Sequence, residues 1–253
     1  NYEIYAQRVS ATGELLWGEG GVTICDLNDS FQEYPVIASD GSGGAIIAWQ
    51  DNRNGNYDIF AQWINASGGI LWPLNGIAIC AAPERQSEPI IISDRSEGAI
   101  IAWHDMRNGN NDIYAQRVDP PGVKWSTNGV AVCAESSVQY NPKMTSDGTG
   151  GAIVTWKDYR STDPGIYAQH VDSSGGLVWV SDKPICTTGS PDEPVIAGDG
   201  AGGAIIAWDD YGSGTSGIYA QRVDSSGELL WSSGVSVCTI GDPDFPAMTS
   251  DGA

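Results

Sequence analysis

The sequence predicts an all-β protein, a five-bladed β-propeller built from four-stranded antiparallel blades. A segment of the form IYAQRV, followed by a glycine turn and a tryptophan, returns five times along the chain. One cysteine and one proline also fall at the same place in every copy. A fixed period of roughly 50 residues is typical of propellers, solenoids and arrays. The copies begin at Ile4, Ile59, Ile113, Ile166 and Ile218, and their cysteines are Cys25, Cys80, Cys133, Cys186 and Cys238.

Each repeat contains four short apolar runs that we interpret as strands. In the second unit these are residues 35–40, 44–49, 59–64 and 77–80, separated by Gly, Asn, Asp and Ser clusters. Runs of this length and composition are typical of strands, and no sustained 3.6-residue periodicity indicates a helix. The GAIIAW run is apolar on both faces, as expected for a strand buried between two neighbouring sheets. A β-solenoid is the structural alternative.

The closing blade is expected to differ from the others. The GAIIAW strand occurs four times, and a fifth has only begun at Gly252 and Ala253. We expect the C-terminal segment 246–251 to join the N-terminal strands in one shared blade, which removes free sheet edges. One inner strand is then missing, so the chain is cut from a longer array, the ring closes imperfectly, or another chain fills the gap. With no linker between repeats, residues 1–253 are interpreted as a single domain.

The charge limits the classes of partner. Twelve Lys and Arg residues face 32 Asp and Glu residues, which gives a net charge of −20. Nucleic acids and anionic membranes are therefore not expected as partners, because both require a basic face. No apolar run reaches the length of a membrane-spanning helix, so no membrane insertion is expected. The cysteines occupy equivalent positions in separate blades and are predicted to be free and buried.

The repeat unit SDGxGGAIIAWxDxRxGxxDIYAQRVDxxGxLLW resembles repeats of large secreted or surface proteins of bacteria. The order of its proline, SDG, AW and IYAQ elements is also similar to Tol-type periplasmic propeller blades. The resemblance covers the whole chain and implies a propeller in an extracellular or cell-surface protein. It implies no activity, because propellers support many functions.

The loop after each GAIIAW strand is a candidate metal site. Its first residue is an aspartate in all four copies, namely Asp51, Asp105, Asp158 and Asp210. Carboxylates in a loop rich in Gly and Asn suit Ca²⁺. The structural alternative is that they accept hydrogen bonds from the loop and pair with Arg53, Arg107 and Arg160. The aspartates of the SDG turns, in contrast, are expected to have only a turn role.

Candidate ligand-binding residues are those that depart from the repeat. Trp63 stands where other copies have Arg or His, and is predicted to be an exposed contact. Four acidic residues precede a proline-led strand and are predicted at a pore mouth, namely Asp192, Glu193, Asp242 and Asp244. The two histidines, His104 and His170, occupy positions that vary between copies, so both are expected to be exposed. The tryptophans at repeating strand positions are predicted to form the core.

The function predicted from these patterns is a non-catalytic binding or scaffold module with no catalytic residues and no cofactor other than the calcium considered above. Its ligand would be a protein or a glycan. The first alternative is a lectin with one sugar site per blade. The second is a glycoside hydrolase that uses the pore-mouth carboxylates.

Overall fold

All regular structure in the protein is β. The computed structural model describes residues 2–212, 216–232 and 234–250, and within these ranges it contains 19 strands and no helix. The predicted all-β class of antiparallel sheets, three of which have four strands, is therefore confirmed. The predicted closing blade is not detected, because among the described residues Ile4–Ala6 pairs only with Val22–Cys25. The described residues include no helix with the length and hydrophobicity to cross a membrane. In chain order the strands are β1 (Ile4–Ala6), β2 (Val22–Cys25), β3 (Gln32–Ser39), β4 (Ala45–Asp51), β5 (Asp58–Ile64), β6 (Ile77–Cys80), β7 (Gln86–Ser93), β8 (Ala99–Asp105), β9 (Asp112–Asp119), β10 (Gly122–Val123), β11 (Val130–Cys133), β12 (Gln139–Ser146), β13 (Ala152–Asp158), β14 (Gly165–Val171), β15 (Lys183–Cys186), β16 (Pro191–Gly198), β17 (Ala204–Asp210), β18 (Gly217–Val223) and β19 (Val235–Cys238).

Three sheets follow one plan, in which four consecutive strands pair in chain order. These are β3 to β6, β12 to β15 and β16 to β19, and every pairing is antiparallel. In a further sheet β7, β8 and β9 pair in order, and both β10 and β11 pair with β9. The short strand β10 is an addition that the four-stranded prediction did not include. It forms because Gly122 and Val123 turn back onto Asp119 and Val118.

The chain divides into two compact units. The first comprises the residues up to Arg107 together with Ala115–Val130, and the second comprises Asn108–Tyr114 and the residues from Ala131 onwards. In the first unit the sheet of β3 to β6 packs against β7. In the second unit the sheet of β12 to β15 packs against β16 in the same way.

The core consists of the second strand of each sheet and the residues stacked on it. All residues of β4, β8 and β13 are buried, which is the two-sided burial that the continuous apolar pattern predicts. Trp49, Trp103 and Trp156 are fully buried and Trp208 is nearly so, which confirms the prediction for these tryptophans. Burying each large apolar side chain contributes roughly 1.5–3 kcal/mol, so these strands supply much of the stability.

The SDG segments form the predicted tight turns. The Asp40 carboxylate accepts hydrogen bonds from the backbone N–H groups of Ser42 and Gly44 at 2.8 and 2.9 Å. This arrangement bridges the hairpin between the first two strands of a sheet. Asp94, Asp147 and Asp199 do the same in their own sheets. Asp251, Gly252 and Ala253, on which a fifth turn and strand were predicted, lie outside the described residues.

Candidate active site

The first strand of each complete sheet carries a bulge at the same point. The residue before the repeated proline has a positive φ in every copy, although none is glycine; the residues are Tyr34 (53°), Glu88 (54°), Asn141 (51°), Glu193 (42°) and Phe245 (52°). The ladder is interrupted there because proline offers no N–H. Bulges and strained residues concentrate at functional sites, so this end of the sheets is where a site is expected.

The side chains next to the bulge differ from sheet to sheet, whereas the strands around them repeat. The cross-strand partners at this point are Glu33 with Gln50, Ser87 with His104, Tyr140 with Lys157, and Asp192 with Asp209. A constant framework therefore presents a different chemical group in each repeat. Only one of these pairs consists of two carboxylates.

Asp209 and Asp244 form a proton-sharing pair in the second unit. Asp209 is only 1% exposed, and its Oδ1 has no hydrogen-bond partner among the described residues. Its Oδ2 lies 3.4 Å from the backbone N–H of Phe245, which also donates to Asp244. Burial and the adjacent Asp244 raise the pKa of Asp209 to about 6, while hydrogen bonds with Tyr211 and Asp209 lower the pKa of Asp244. The pair therefore holds one proton up to nearly neutral pH.

A lysine neutralises the third carboxylate of this cluster. Lys157 Nζ lies 2.7 Å from Asp192 Oδ2, and Asp192 is the cross-strand partner of Asp209. Burial alone would favour the neutral amine, but hydrogen bonds with Asp192 and Tyr159 outweigh it and raise the pKa of Lys157. Asp192 thus lies beside the proton-sharing pair in an ion pair with Lys157.

Exposed aromatic rings accompany the carboxylates. Tyr140, Tyr159, Tyr211 and Phe245 are each at least 40% exposed. The rings of Tyr140 and Tyr159 meet edge to face at 5.9 Å, and Lys157 Nζ lies 5.3 Å from the centre of the Tyr159 ring. We refer to Lys157, Asp192, Asp209, Tyr211 and Asp244 as the carboxylate cluster. It combines titratable groups with flat apolar surfaces.

The predicted pore-mouth residues divide into two groups. Asp192 and Asp244 belong to the carboxylate cluster. Glu193 lies beside it and accepts a hydrogen bond from Asn141 Nδ2 at 3.3 Å. Asp242 is exposed, and no contact with the pair is present among the described residues. As a ligand-binding set, these residues remain a prediction.

Trp63 has a hydrogen-bonding role that the sequence did not indicate. Its indole N–H donates to Asp40 Oδ2 at 3.0 Å, and its ring lies 6.1 Å from that of Trp72. In other repeats a cation occupies the same place: Arg117 pairs with Asp94 and Arg222 with Asp199. The side chain is half-buried. These contacts within the sheet are sufficient to explain a tryptophan at position 63. Ligand binding by Trp63 stays a prediction.

The first unit carries no such carboxylate pair among its described residues. Glu33 accepts hydrogen bonds from Tyr57 Oη at 2.8 Å and Gln50 Nε2 at 3.2 Å. His104 Nδ1 lies 3.5 Å from Glu88 Oε2, and this hydrogen bond lowers the pKa of Glu88. These carboxylates have neutral or cationic partners, so they share no proton with another acid.

The four loop aspartates are engaged by their own sheets. Asp105, which is fully buried, accepts hydrogen bonds from the Trp103 indole at 2.8 Å and from Arg107 at 2.5 Å. The same guanidinium donates to the Cys80 sulfur and the Asn128 carbonyl. Asp51 with Arg53 and Asp158 with Arg160 repeat the ion pair, which confirms the predicted pairing. We call this arrangement the Asp–Arg clasp.

Asp210 departs from the clasp because Gly212 replaces the arginine. Its carboxylate accepts hydrogen bonds from the backbone of Ser190 and Gly212. Among the described residues no group of three or more His, Cys, Asp or Glu side chains is arranged to hold a metal ion. Calcium at Asp51, Asp105, Asp158 and Asp210 stays a prediction.

The cysteines are free, as predicted, but not all are buried. Cys25, Cys80 and Cys133 are buried behind the clasp, whereas Cys186 and Cys238 are half-buried. Burial raises the pKa of Cys25 to about 11 and that of Cys80 to about 12. These two thiols are therefore protonated and unreactive at neutral pH.

Sequence reasoning missed Asp209, Lys157 and Tyr211 as site residues. The sequence did contain a signal, because the residue after the strand tryptophan differs in every repeat. In successive repeats it is Gln50, His104, Lys157 and Asp209. The predicted exposure of the histidines was wrong: His104 and His170 are only 4% and 8% exposed. His170 Nε2 lies 2.9 Å from Asp147 Oδ2, in the place that arginine takes in other repeats. At this position different side chains contact the equivalent turn aspartate, so variation between repeats does not imply exposure.

Comparison with known proteins yields matches in fold only. No family model matches the chain, and neither does any curated protein. A protein of unknown function from Dyadobacter fermentans is similar in structure, with a TM-score of 0.54, 12% identity, and coverage of 83% of this chain and 70% of that one. The polysaccharide lyase Uly1 also has a TM-score of 0.54, with 10% identity over 92% of this chain and 56% of its own. An endo-arabinase from Bacteroides thetaiotaomicron has a TM-score of 0.48 and 13% identity, over 92% of this chain and 88% of its own.

These comparisons correct the predicted function. The sequence predicted a non-catalytic scaffold without catalytic residues, but a polysaccharide lyase is among the solved structures that share the fold. The prediction failed because repetition was equated with a purely structural role. The fold neighbours are propeller-like, in agreement with the predicted architecture.

Proposed function

We propose that this chain is a five-bladed β-propeller that hydrolyses glycosidic bonds in an extracellular glycan. The observation that carries the proposal is the proton-sharing pair of Asp209 and Asp244. A group that retains a proton to about pH 6 can act as a general acid at neutral pH. Glycoside hydrolysis requires such an acid together with a second carboxylate, and Asp192 supplies the latter.

The exposed member of the pair is the one that meets the substrate. Asp244 lies at the surface, whereas Asp209 is buried behind it. The proton held by Asp209 passes to Asp244, which delivers it to the leaving oxygen as the glycosidic bond breaks. Water adds to the anomeric carbon and returns a proton to the pair, which restores the starting state. Asp192, which is ion-paired with Lys157, stabilises the positive charge that develops on the sugar ring.

The aromatic side chains supply the binding surface. Tyr140, Tyr159, Tyr211 and Phe245 expose flat apolar faces beside the carboxylates. Aromatic rings combine an apolar surface with, in tyrosine, a polar tip, which suits the mixed polarity of a sugar. The same rings also support the alternative of a lectin, in which a glycan binds without being cleaved.

Hydrolysis fits the charges better than elimination does. Elimination from a polysaccharide acts on a uronate, whose carboxylate must approach the site. Asp192, Glu193 and Asp244 would repel that group, and Lys157 is already paired. A neutral glycan avoids this repulsion.

The test is hydrolysis of a panel of neutral polysaccharides, measured as released reducing ends. Asp244→Asn should lower kcat on a cleaved substrate by about 10²–10⁴-fold, because it removes the proton donor. Asp242→Asn is the matched control, since it makes the same change two residues away in an exposed carboxylate outside the cluster. Binding without cleavage favours the lectin, and equal activity of the two variants would rule out the assigned acid.

A further inference from the structure

Strand β1 has an unpaired edge in the first unit. In the complete sheet β3 to β6, the IYAQ-type strand β5 pairs with a GAIIAW-type strand on one side and a short outer strand on the other. Strand β1 has the same sequence type and pairs with the outer strand β2. Among the described residues no strand pairs with its other edge. The backbone groups of that edge are therefore available to another strand.

A cleft of about 390 Å³ lies along this edge, where the inner strand of a complete sheet would run. It is lined by Tyr2, Glu3, Ile4, Gln32, Glu33, Tyr34 and Pro35. The adjacent face of β3 is apolar and uncovered, with Tyr34 59% and Ile37 58% exposed. The counterpart of Ile37 in β7, Ile91, is half-buried in the strand that packs against the sheet of β3 to β6. The exposed face is thus the unused half of an interface that the repeat forms elsewhere.

The environment of Arg8 indicates that a strand and turn completing this sheet would bring a negative charge. Its repeat counterparts Arg117 and Arg222 pair with the aspartate of an SDG-type turn, at 2.8 and 2.9 Å. That turn joins the two inner strands of the same sheet. The Arg8 guanidinium instead donates to the Ala66 carbonyl at 3.1 Å, and no ion pair to it is present among the described residues. An incoming turn with an aspartate would supply its partner.

We propose that this cleft binds a hairpin of the type SDGxGGAIIAW from another polypeptide that carries the same kind of repeat. The GAIIAW strand adds antiparallel to β1, its apolar side chains cover Ile37, and the turn aspartate pairs with Arg8. This is recognition by strand addition, in which main-chain hydrogen bonds give affinity and side-chain contacts give specificity. Four strands of this sequence already occupy the equivalent place in their own sheets.

The experiment uses a fluorescent synthetic peptide with the sequence of residues 39–51, titrated with the intact protein. We expect saturable binding with new hydrogen-exchange protection at the amide of Tyr5, because its backbone faces the free edge whereas that of Ala6 faces β2. A second peptide, with asparagine in place of its turn aspartate, should bind at least tenfold more weakly. Both peptides are titrated with the same unaltered protein, so the comparison between them does not depend on whether a protein variant folds correctly.

The protein variant Arg8→Ala should weaken binding of the aspartate peptide and leave that of the asparagine peptide unchanged. Arg95→Ala, which removes an exposed arginine from the same unit, should bind both peptides like the parent. Absence of binding, or equal binding of both peptides, would overturn the proposal. So would full protection of the Tyr5 amide without peptide, because the free edge would then already be paired.

Discussion

At the residue scale, the unusual group is a buried aspartate that keeps its proton. The pKa of Asp209 is about 6 in the folded chain, against an ordinary value near 3.9 in an unfolded one. A raised carboxyl pKa means that the folded state binds the proton more tightly. Its contribution to stability is complete below about pH 4 and is lost as the pH rises through about 6.

Asp209→Asn should therefore flatten the dependence of stability on pH. Between pH 4.5 and 8 the melting temperature of the parent should fall relative to the variant, and at pH 8 the variant should be more stable by about 2 kcal/mol. Thermal unfolding across this range tests it, with Asp242→Asn as control. The hydrogen-bonded carboxylates Asp147 and Asp199, whose pKa values are lowered, lose their contribution only at lower pH. Parallel curves for parent and Asp209→Asn would contradict the assignment.

Trp63 provides a second prediction, because it is a neutral donor where other repeats use a cation. Trp63→Ala removes the only side-chain donor to Asp40 that the structure shows, and Asp40 is just 3% exposed. The loss should be about 3 kcal/mol of unfolding free energy. Trp63→Arg restores the pairing seen at Asp94 and should cost less than about 1 kcal/mol. Urea unfolding separates the two, and equal destabilisation would mean that packing on Trp72 dominates.

At the element scale, the Asp–Arg clasp fixes the loop after β4, β8 and β13. Asp105 is completely buried, so Arg107→Ala would leave a buried charge without its ion-pair partner. We expect a loss of about 3–5 kcal/mol, measured by chemical denaturation. Arg95→Ala, at an exposed position, should change stability by less than about 0.5 kcal/mol. Adding Asp105→Asn to Arg107→Ala should recover part of the loss; strictly additive losses would show that the two side chains are not coupled.

The elements themselves were predictable from sequence, and the bulges were not. Strands β4, β8, β13 and β17 carry unbroken apolar runs because both faces are buried, so composition alone identifies them. The proline at the bulge was interpreted as the start of a strand, yet the first strand begins three residues earlier, at Gln32 or Gln86. Positive φ at Glu193 or Phe245 is a backbone conformation that an alternation of apolar and polar residues does not encode. The Asp209–Asp244 pair was missed for the same reason.

At the scale of the whole molecule, the excess of acidic residues determines which glycans the proposed hydrolase would accept. The net charge of −20 repels polyanions over a distance set by the ionic strength, about 30 Å at 0.01 M salt and 8 Å at 0.15 M. If the chain hydrolyses glycans, kcat/KM on a neutral polysaccharide should change little over this range, since no net charge is brought together. A uronate-rich polysaccharide should be a poor substrate at low salt and should improve as salt screens the repulsion. The measurement is kcat/KM for the neutral and the uronate-rich polysaccharide at both salt concentrations. A preference for the anionic substrate at low salt would place a cationic contact at the site and favour elimination over hydrolysis.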